Sequence, residues 1–187
     1  MPEGTIANNI FHGNYTVTNG SFEAGNLDGW TLNGDLGVVT DKENTEWWYN
    51  HNNETKNGNF LFTFAPEGAN YEHGQGTLQS STFTLKNDTF VSFKFGGAGG
   101  GINHNVYIDL CRADGTVIAR FYNCADGKIN TRMNSYFYQY TGETVDCYFV
   151  VVDNATSDYG CFVVDDFRVN LESAPEGYIA ANQGHNH

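Results

Sequence analysis

Basic residues are scarce in this chain: 9 Lys and Arg stand against 22 Asp and Glu in 187 residues, a net charge of −13. Nucleic acid and anionic membrane surfaces need a basic footprint on their partner, so neither is expected to bind here. No apolar run approaches the roughly 20 residues of a membrane-spanning helix, so no membrane insertion is expected. The start, Met1-Pro2-Glu3-Gly4, has neither a basic n-region nor an apolar stretch. No signal peptide is expected from it, and the chain reads either as cytosolic or as a piece of a longer secreted protein. There is no C-x-x-C pair and no Cys/His spacing of a zinc site. The four cysteines, Cys111, Cys124, Cys147 and Cys161, allow two readings: two disulfides in one of three connectivities, or four reduced and partly buried thiols. No G-x-S-x-G elbow occurs. The run Gly96–Gly101 is followed by no Lys-Ser/Thr and no helix, so it is not a phosphate loop; its glycines suit a close backbone approach. Five N-x-S/T triplets, at Asn14, Asn19, Asn53, Asn87 and Asn154, are what an Asn-rich chain produces, and are not read as glycosylation sites.

Helical periodicity is hard to find, whereas period-two alternation is plain. Val91, Phe93 and Phe95 share one face and Phe90, Ser92 and Lys94 the other. Val106, Ile108 and Leu110 alternate in the same way with Tyr107, Asp109 and Cys111. Further β runs are expected over Gly58–Phe64, Gly76–Leu85, Thr116–Tyr122, Ser135–Tyr140, Asp146–Val152 and Cys161–Leu171. Turn residues separate them at Lys86-Asn87-Asp88, Ala113-Asp114-Gly115 and Tyr140-Thr141-Gly142, and Arg112–Thr116 predicts a hairpin turn. Tyr148–Val152 is apolar on both faces and belongs in the middle of a sheet. With 14 Phe, 11 Tyr and 22 Gly, the pattern predicts an all-β chain folded as an antiparallel β-sandwich or jelly roll. One domain is expected over 17–172, preceded by an N-terminal extension over 1–16 and followed by a linker or tail without strand pattern over 173–187.

Two segments near the ends place a carboxylate inside an apolar run: Asn19-Gly20-Ser21-Phe22-Glu23 with Asp28-Gly29-Trp30, and Phe162–Val169. A carboxylate facing a core is costly unless it is paired or bound to a cation. Strand alternation groups Val163, Asp165, Phe167 and Val169 on the more apolar face, which points Asp165 inward and leaves Asp166 to pair with Arg168. Phe22 and Trp30 read as core anchors beside Glu23. One Glu, one Asp and backbone carbonyls suit a hard cation such as calcium; the alternative is two unrelated, solvated carboxylates.

These motifs, together with Asn57-Gly58-Asn59-Phe60, resemble those of galactose-binding-like carbohydrate-binding modules, which are calcium-containing β-sandwiches appended to secreted bacterial polysaccharidases. Gly76–Phe83 and Val152–Gly160 are more specifically similar to accessory modules of bacterial β-fructosidases. The resemblance covers about residues 17–171. It implies a structural calcium held by Glu23, the Ser21 carbonyl, carbonyls around Lys56 or Asn59, and Asp165. It also implies an extracellular, monomeric, non-catalytic module that works beside a catalytic glycosidase module and binds polysaccharide or oligosaccharide, with fructan first and other β-glycans next.

Sugar is held by aromatic rings stacked on its C–H faces and by planar polar side chains on its hydroxyls, so surface aromatics in loops are the place to look. Trp47, Trp48 and Tyr49 cluster in the polar stretch Thr40–Asn57, where at least one ring is expected to be exposed and one of the two Trp to fold back and plug the end of the sandwich. Tyr71, Glu72 and His73, then Asn103, His104 and Asn105, and finally Asp158 and Tyr159 supply further candidates; each also reads as an ordinary solvated loop residue. A glycosidase would need two carboxylates across a cleft, and the best-paired ones here look committed to metal and fold, so no enzyme is expected. The alternative function is a structural or adhesive β-sandwich module of a bacterial surface protein, without a sugar site.

Overall fold

The computed structural model describes residues 14–36, 61–62, 74–97, 105–124, 133–156 and 160–183. Alternating apolar residues drive the local structure: among the described residues there are twelve strands and no helix. They are β1 (Trp30–Gly34), β2 (Leu61–Phe62), β3 (Gly76–Ser80), β4 (Phe83–Leu85), β5 (Thr89–Gly96), β6 (Val106–Arg112), β7 (Val117–Tyr122), β8 (Asn134–Tyr140), β9 (Val145–Asp153), β10 (Val163–Leu171), β11 (Ile179–Ala180) and β12 (Asn182–Gln183). They form two sheets. The five-stranded sheet runs β11-β8-β5-β10-β2; the seven-stranded sheet runs β12-β7-β6-β9-β3-β1, with β4 also paired to β9. The antiparallel two-sheet sandwich expected from the alternation is therefore what the chain forms, with one parallel pair, β8 with β11, at an edge.

The core lies between the sheets. Val91, Phe93 and Phe95 of β5 are fully buried, as are Ile108 and Leu110 of β6 and Phe149 and Val151 of β9. Phe93 meets Phe121, Tyr136, Phe149 and Phe167, with ring centroids 5.2 to 6.3 Å apart. Each such ring removed from water contributes about 1.5–3 kcal/mol, which makes this cluster the principal fastening between the layers. The central position expected for Tyr148–Val152 holds, because β9 is paired on both sides. The hairpin at Arg112–Thr116 also forms: Gly115, with φ +94°, donates its N–H to the Arg112 carbonyl, and Asp114 accepts from the Thr116 N–H. All four cysteines are buried thiols, and no disulfide joins them.

Two local features depart from expectation. The run Gly76–Leu85 is split into β3 and β4, and at the end of β3 Ser80 turns its Oγ to accept the Phe149 N–H at 2.9 Å. The 173–187 stretch, read as a tail without strand pattern, carries β11 and β12. The first pairs with β8 at the edge of one sheet and the second with β7 at the edge of the other, while Ala181 between them donates its N–H to the Phe137 carbonyl. The chain thus crosses from sheet to sheet along one side. Sequence alternation misses this because each pairing uses only two residues.

Candidate functional site

The opening and closing segments are built into one another. Phe167 donates its N–H to the Gly20 carbonyl at 2.9 Å, and the Trp30 indole N–H reaches the Asn19 carbonyl at 3.0 Å. Phe22, Trp30 and Phe167 pack as a ring triangle with centroids 5.0 to 6.4 Å apart, all buried. Phe22 has φ +56°, a left-handed conformation that costs a bulky residue about 1–2 kcal/mol. That turn sends the ring into the core and leaves Glu23 exposed beside Asp165.

Asp165 is buried, at 6% exposure, but its direction differs from expectation. It lies opposite Lys94, while Val164 lies opposite the core residue Phe95. Asp165 therefore points to the outer side of the five-stranded sheet. The cause is a β-bulge between Asp165 and Arg168, where Asp166 adopts φ +54°. The extra residue shifts the alternation, so Phe167 and Val169 face the core while Asp165 does not. Asp166 pairs with Arg168 as expected, through two contacts of 3.0 and 2.9 Å.

The Asp165 carboxylate accepts the Asp166 N–H at 2.8 Å. Burial pushes its pKa up to about 8; the hydrogen bond from the Asp166 N–H opposes this, the charges of Asp166 and Glu23 add to it, and Lys94 opposes it least. A buried Asp165 carboxylate with the exposed Glu23 carboxylate near enough to be felt by it is a hard-oxygen donor pair, which fits a divalent cation such as calcium. Ser21 is half-buried in the same turn. Leu61 of β2 pairs with Val164, the neighbour of Asp165; Lys56 and Asn59, the other expected contributors, lie outside the described residues. Among the described residues no group of three or more His, Cys, Asp or Glu side chains gathers in one place, so any further ligands would be backbone oxygens or residues outside that set.

Of the expected sugar-binding residues, Trp47, Trp48, Tyr49, Tyr71, Glu72, His73, Asn103, His104, Asp158 and Tyr159 lie outside the described residues. Asn105 is half-buried, and its carbonyl accepts the Asn154 N–H at 2.8 Å. The strand ends that border those segments are brought together. Gly34, Gly76, Asp153 and Val106 are successive partners across β1, β3, β9 and β6. In the other sheet Val163 pairs with both Gly96 and Phe62. Gln75 Nε2 donates to the Asn154 carbonyl at 2.8 Å, so this end is knitted across loops as well. Asp153 lies inside it, fully buried. Its Oδ1 accepts the Ala155 N–H at 2.9 Å, its Oδ2 has no hydrogen-bond partner among the described residues, and burial pushes its pKa up to about 7.

Beside this end, the outer face of the seven-stranded sheet carries a polar–aromatic cluster absent from the expected site. Asp109 of β6 lies opposite Arg120 of β7. The guanidinium is held at both ends of its fork, Nε to Oδ1 at 2.8 Å and Nη2 to Oδ2 at 3.0 Å, and sits 4.0 Å from the centroid of the Tyr107 ring. Tyr122 packs edge-on against Tyr107 at 6.0 Å. Burial pushes the Tyr107 phenol up, while Arg120 and a hydrogen bond with the Asn154 side chain oppose it. Asp109 raises the Arg120 pKa further above its ordinary value. Counting back from Cys111 opposite Val117 would have placed Asp109 opposite Ala119. A bulge after Leu110 moves the register by one and delivers Arg120 instead, which is why the alternation alone does not find the cluster.

No family model matches the chain, and no curated protein matches it. Solved structures do. A Stig cyclase, Fisc, from Fischerella sp. TAU superposes with a TM-score of 0.55 at 16% identity, over 83% of this chain and 96% of the cyclase. The enzymatically active domain of tailspike protein 4 from bacteriophage CBA120 superposes with a TM-score of 0.49 at 14% identity, over 88% of this chain; the chain spans 22% of that protein's length. A family 16 carbohydrate-binding module superposes with a TM-score of 0.47 at 15% identity, over 81% of this chain and 96% of the module. At these identities the likeness to the cyclase is one of fold alone, and its chemistry does not follow. Among the described residues no helix is long and apolar enough to cross a membrane.

Proposed function

We propose that this protein is a non-catalytic carbohydrate-binding module of a secreted bacterial protein, where it holds a catalytic glycosidase module against polysaccharide. The observation that carries the reading is the convergence of strand ends at Gly34, Gly76, Asp153 and Val106. These border the segments with the aromatic and Asn/His-rich sequences, and Asn105, Asn154 and Gln75 already cross-link that end. Rigid strands carrying variable, aromatic loops at one end are a common way to build a ligand site. Fructan is the first candidate glycan, followed by other β-glycans.

A structural calcium belongs to the same reading, held by Glu23, the Ser21 carbonyl and Asp165, with Lys56 and Asn59 contributing from outside the described residues. When bound, the ion would neutralise the Glu23 and Asp165 carboxylates and tie the opening turn to β10. It is assigned no part in sugar contact. The module is read as a binder rather than an enzyme because two of its paired carboxylates already serve the fold: Asp109 holds Arg120 and Asp166 holds Arg168.

Affinity electrophoresis in gels containing levan, inulin or mixed-linkage β-glucan tests the reading. The wild-type chain is expected to be retarded in at least one gel, and Trp47→Ala or Trp48→Ala to relieve that retardation. If neither change affects retardation in any gel that the wild type binds, the loop assignment fails. A chain retarded in none is instead a structural or adhesive module.

A further inference from the structure

We propose that Asp153 is a proton-operated latch on the loop end of the sandwich: with its carboxyl protonated the end stays laced, and loss of the proton favours local opening there. The inference does not depend on what the loops bind, and concerns a group to which the sugar and calcium readings give no part.

The latch lies where strand ends meet. Asp153 closes β9, and its partners are Gly76 of β3 and Val106 of β6. Alternation along β9 sets it on the same face as the core residues Phe149 and Val151, and it is fully buried. The residues that follow it carry the lacing. Asn154 donates its N–H to the Asn105 carbonyl at 2.8 Å, and the Asn154 carbonyl accepts Gln75 Nε2 at 2.8 Å. The Gln75 carbonyl in turn accepts the Asp35 N–H at 2.7 Å. The Asn154 side chain is bonded to the Tyr107 phenol. Ala155, itself fully buried, donates its N–H to Asp153 Oδ1 at 2.9 Å. Asp153 therefore does not swing toward water without moving the backbone that joins the ends of β1, β3 and β6.

The ionised form is the one this place does not accommodate. A buried carboxylate needs donors or a cation, and Oδ2 has no hydrogen-bond partner among the described residues. On the core side, β3 and β6 present Gly76, Leu78, Val106 and Ile108, and across the core β5 and β10 present Phe95 and Val164, none of them titratable. The titratable groups of the neighbouring segments are Asp35 after β1, Cys161 before β10, and Tyr107 and Asp109 on the outer face of β6. Burial raises the Asp153 pKa to about 7 against the Ala155 N–H, and no charge among the described residues shares in that shift.

The direction of the response follows. The closed end keeps its proton up to about pH 7, whereas an opened end exposes an ordinary carboxyl that ionises near pH 4. Opening is therefore independent of pH below about 4, rises by up to about tenfold per pH unit between about 4 and 7, and levels off above. Opening confined to this end breaks the lacing bonds and leaves the aromatic core between the sheets in place, so it needs less free energy than global unfolding. A ligand held by the closed end is bound against that opening, and its affinity falls with pH to the extent that the end opens.

The test is amide hydrogen exchange of the wild-type chain from about pH 5 to pH 8, with each rate divided by that of an unstructured amide. The amides of Asp35, Asn154 and Ala155 are expected to lose protection by up to about a hundredfold between pH 5 and pH 7 and little beyond, while staying less protected than the amides of β5 at every pH. Asp153→Asn, which keeps an acceptor for Ala155 and has no proton to lose, is expected to abolish the slope. Asp153→Val, which brings no unpaired donor into the core, is expected to do the same at Asp35 and Asn154, and decides if Asp153→Asn does not fold. Wild-type protection that does not change with pH overturns the latch, as does a slope that persists in the folded variants. Loop-end amides that exchange only together with those of β5 also overturn it, because the opening is then global rather than local.

Discussion

Phe167 gives its backbone N–H to the carbonyl of Gly20, so residues separated by most of the chain are joined by one main-chain hydrogen bond. A Cβ on residue 20 would sit 2.5 Å from the Phe167 carbonyl oxygen and 3.1 Å from the Val17 Cβ. The first of these is backbone and cannot move aside without opening the joint. Gly20→Ala is therefore expected to destabilise the fold by about 2–3 kcal/mol, read as a lowered denaturant midpoint with an unchanged slope. A midpoint equal to wild type would show that the joint tolerates a side chain.

The same joint brings Glu23 to Asp165, and a bound calcium ion would stabilise it through mass action. Millimolar calcium is expected to raise the Tm of the wild type and chelator to lower it, with Asp165→Ala abolishing the difference. Extracellular calcium sites often have dissociation constants of about 10⁻⁴–10⁻³ M, so the scan needs added ion rather than residual ion. Identical melts with calcium and with chelator would remove the metal from the account.

Asp153 carries a pH dependence of its own. Burial holds its folded pKa at about 7, well above the unfolded value. The folded state then keeps a proton that the unfolded chain has lost between about pH 4 and pH 7. Stability from this group is complete below pH 4, and falls as pH rises through that window by up to about 1.4 kcal/mol per unit. Asp153→Asn, which has no proton to lose, is expected to flatten the decline between about pH 4 and pH 7 in urea titrations. A parallel decline in the variant would assign the slope to other groups.

The thiols give a further check. Cys147 is fully buried, with its pKa pushed up to about 12 by burial, and Cys111 and Cys124 are raised for the same reason. Thiolates are the reactive species, so Ellman's reagent is expected to react slowly with the native protein and rapidly with four thiols in guanidinium. Fewer than four in unreduced, unfolded protein would mean that a disulfide exists.

Much of the fold is legible in the sequence because period-two alternation and turn residues act locally. Val91-Phe93-Phe95, Val106-Ile108-Leu110 and the Arg112–Thr116 hairpin all formed as read. What alternation cannot supply is the position of a bulge. The extra residue between Asp165 and Arg168 turned Asp165 to the outer side of its sheet, and the one after Leu110 set Arg120 rather than Ala119 against Asp109. The tail strands were missed because Ile179–Ala180 and Asn182–Gln183 owe their pairing to exposed sheet edges rather than to any pattern of their own. The end motifs were legible as neighbours, since a carboxylate within each apolar run needs a compensating partner. The Tyr107–Arg120–Asp109 cluster was not, since it is assembled across strands.

The central claim is that this sandwich binds neutral glycan. Its most direct measurement is the binding of the purified chain, in millimolar calcium, to an array of immobilised neutral and acidic glycans. The account predicts selective retention on neutral polysaccharide, fructan or another β-glycan, reduced in Trp47→Ala or Trp48→Ala. Retention on no glycan, or on acidic chains alone, would contradict it.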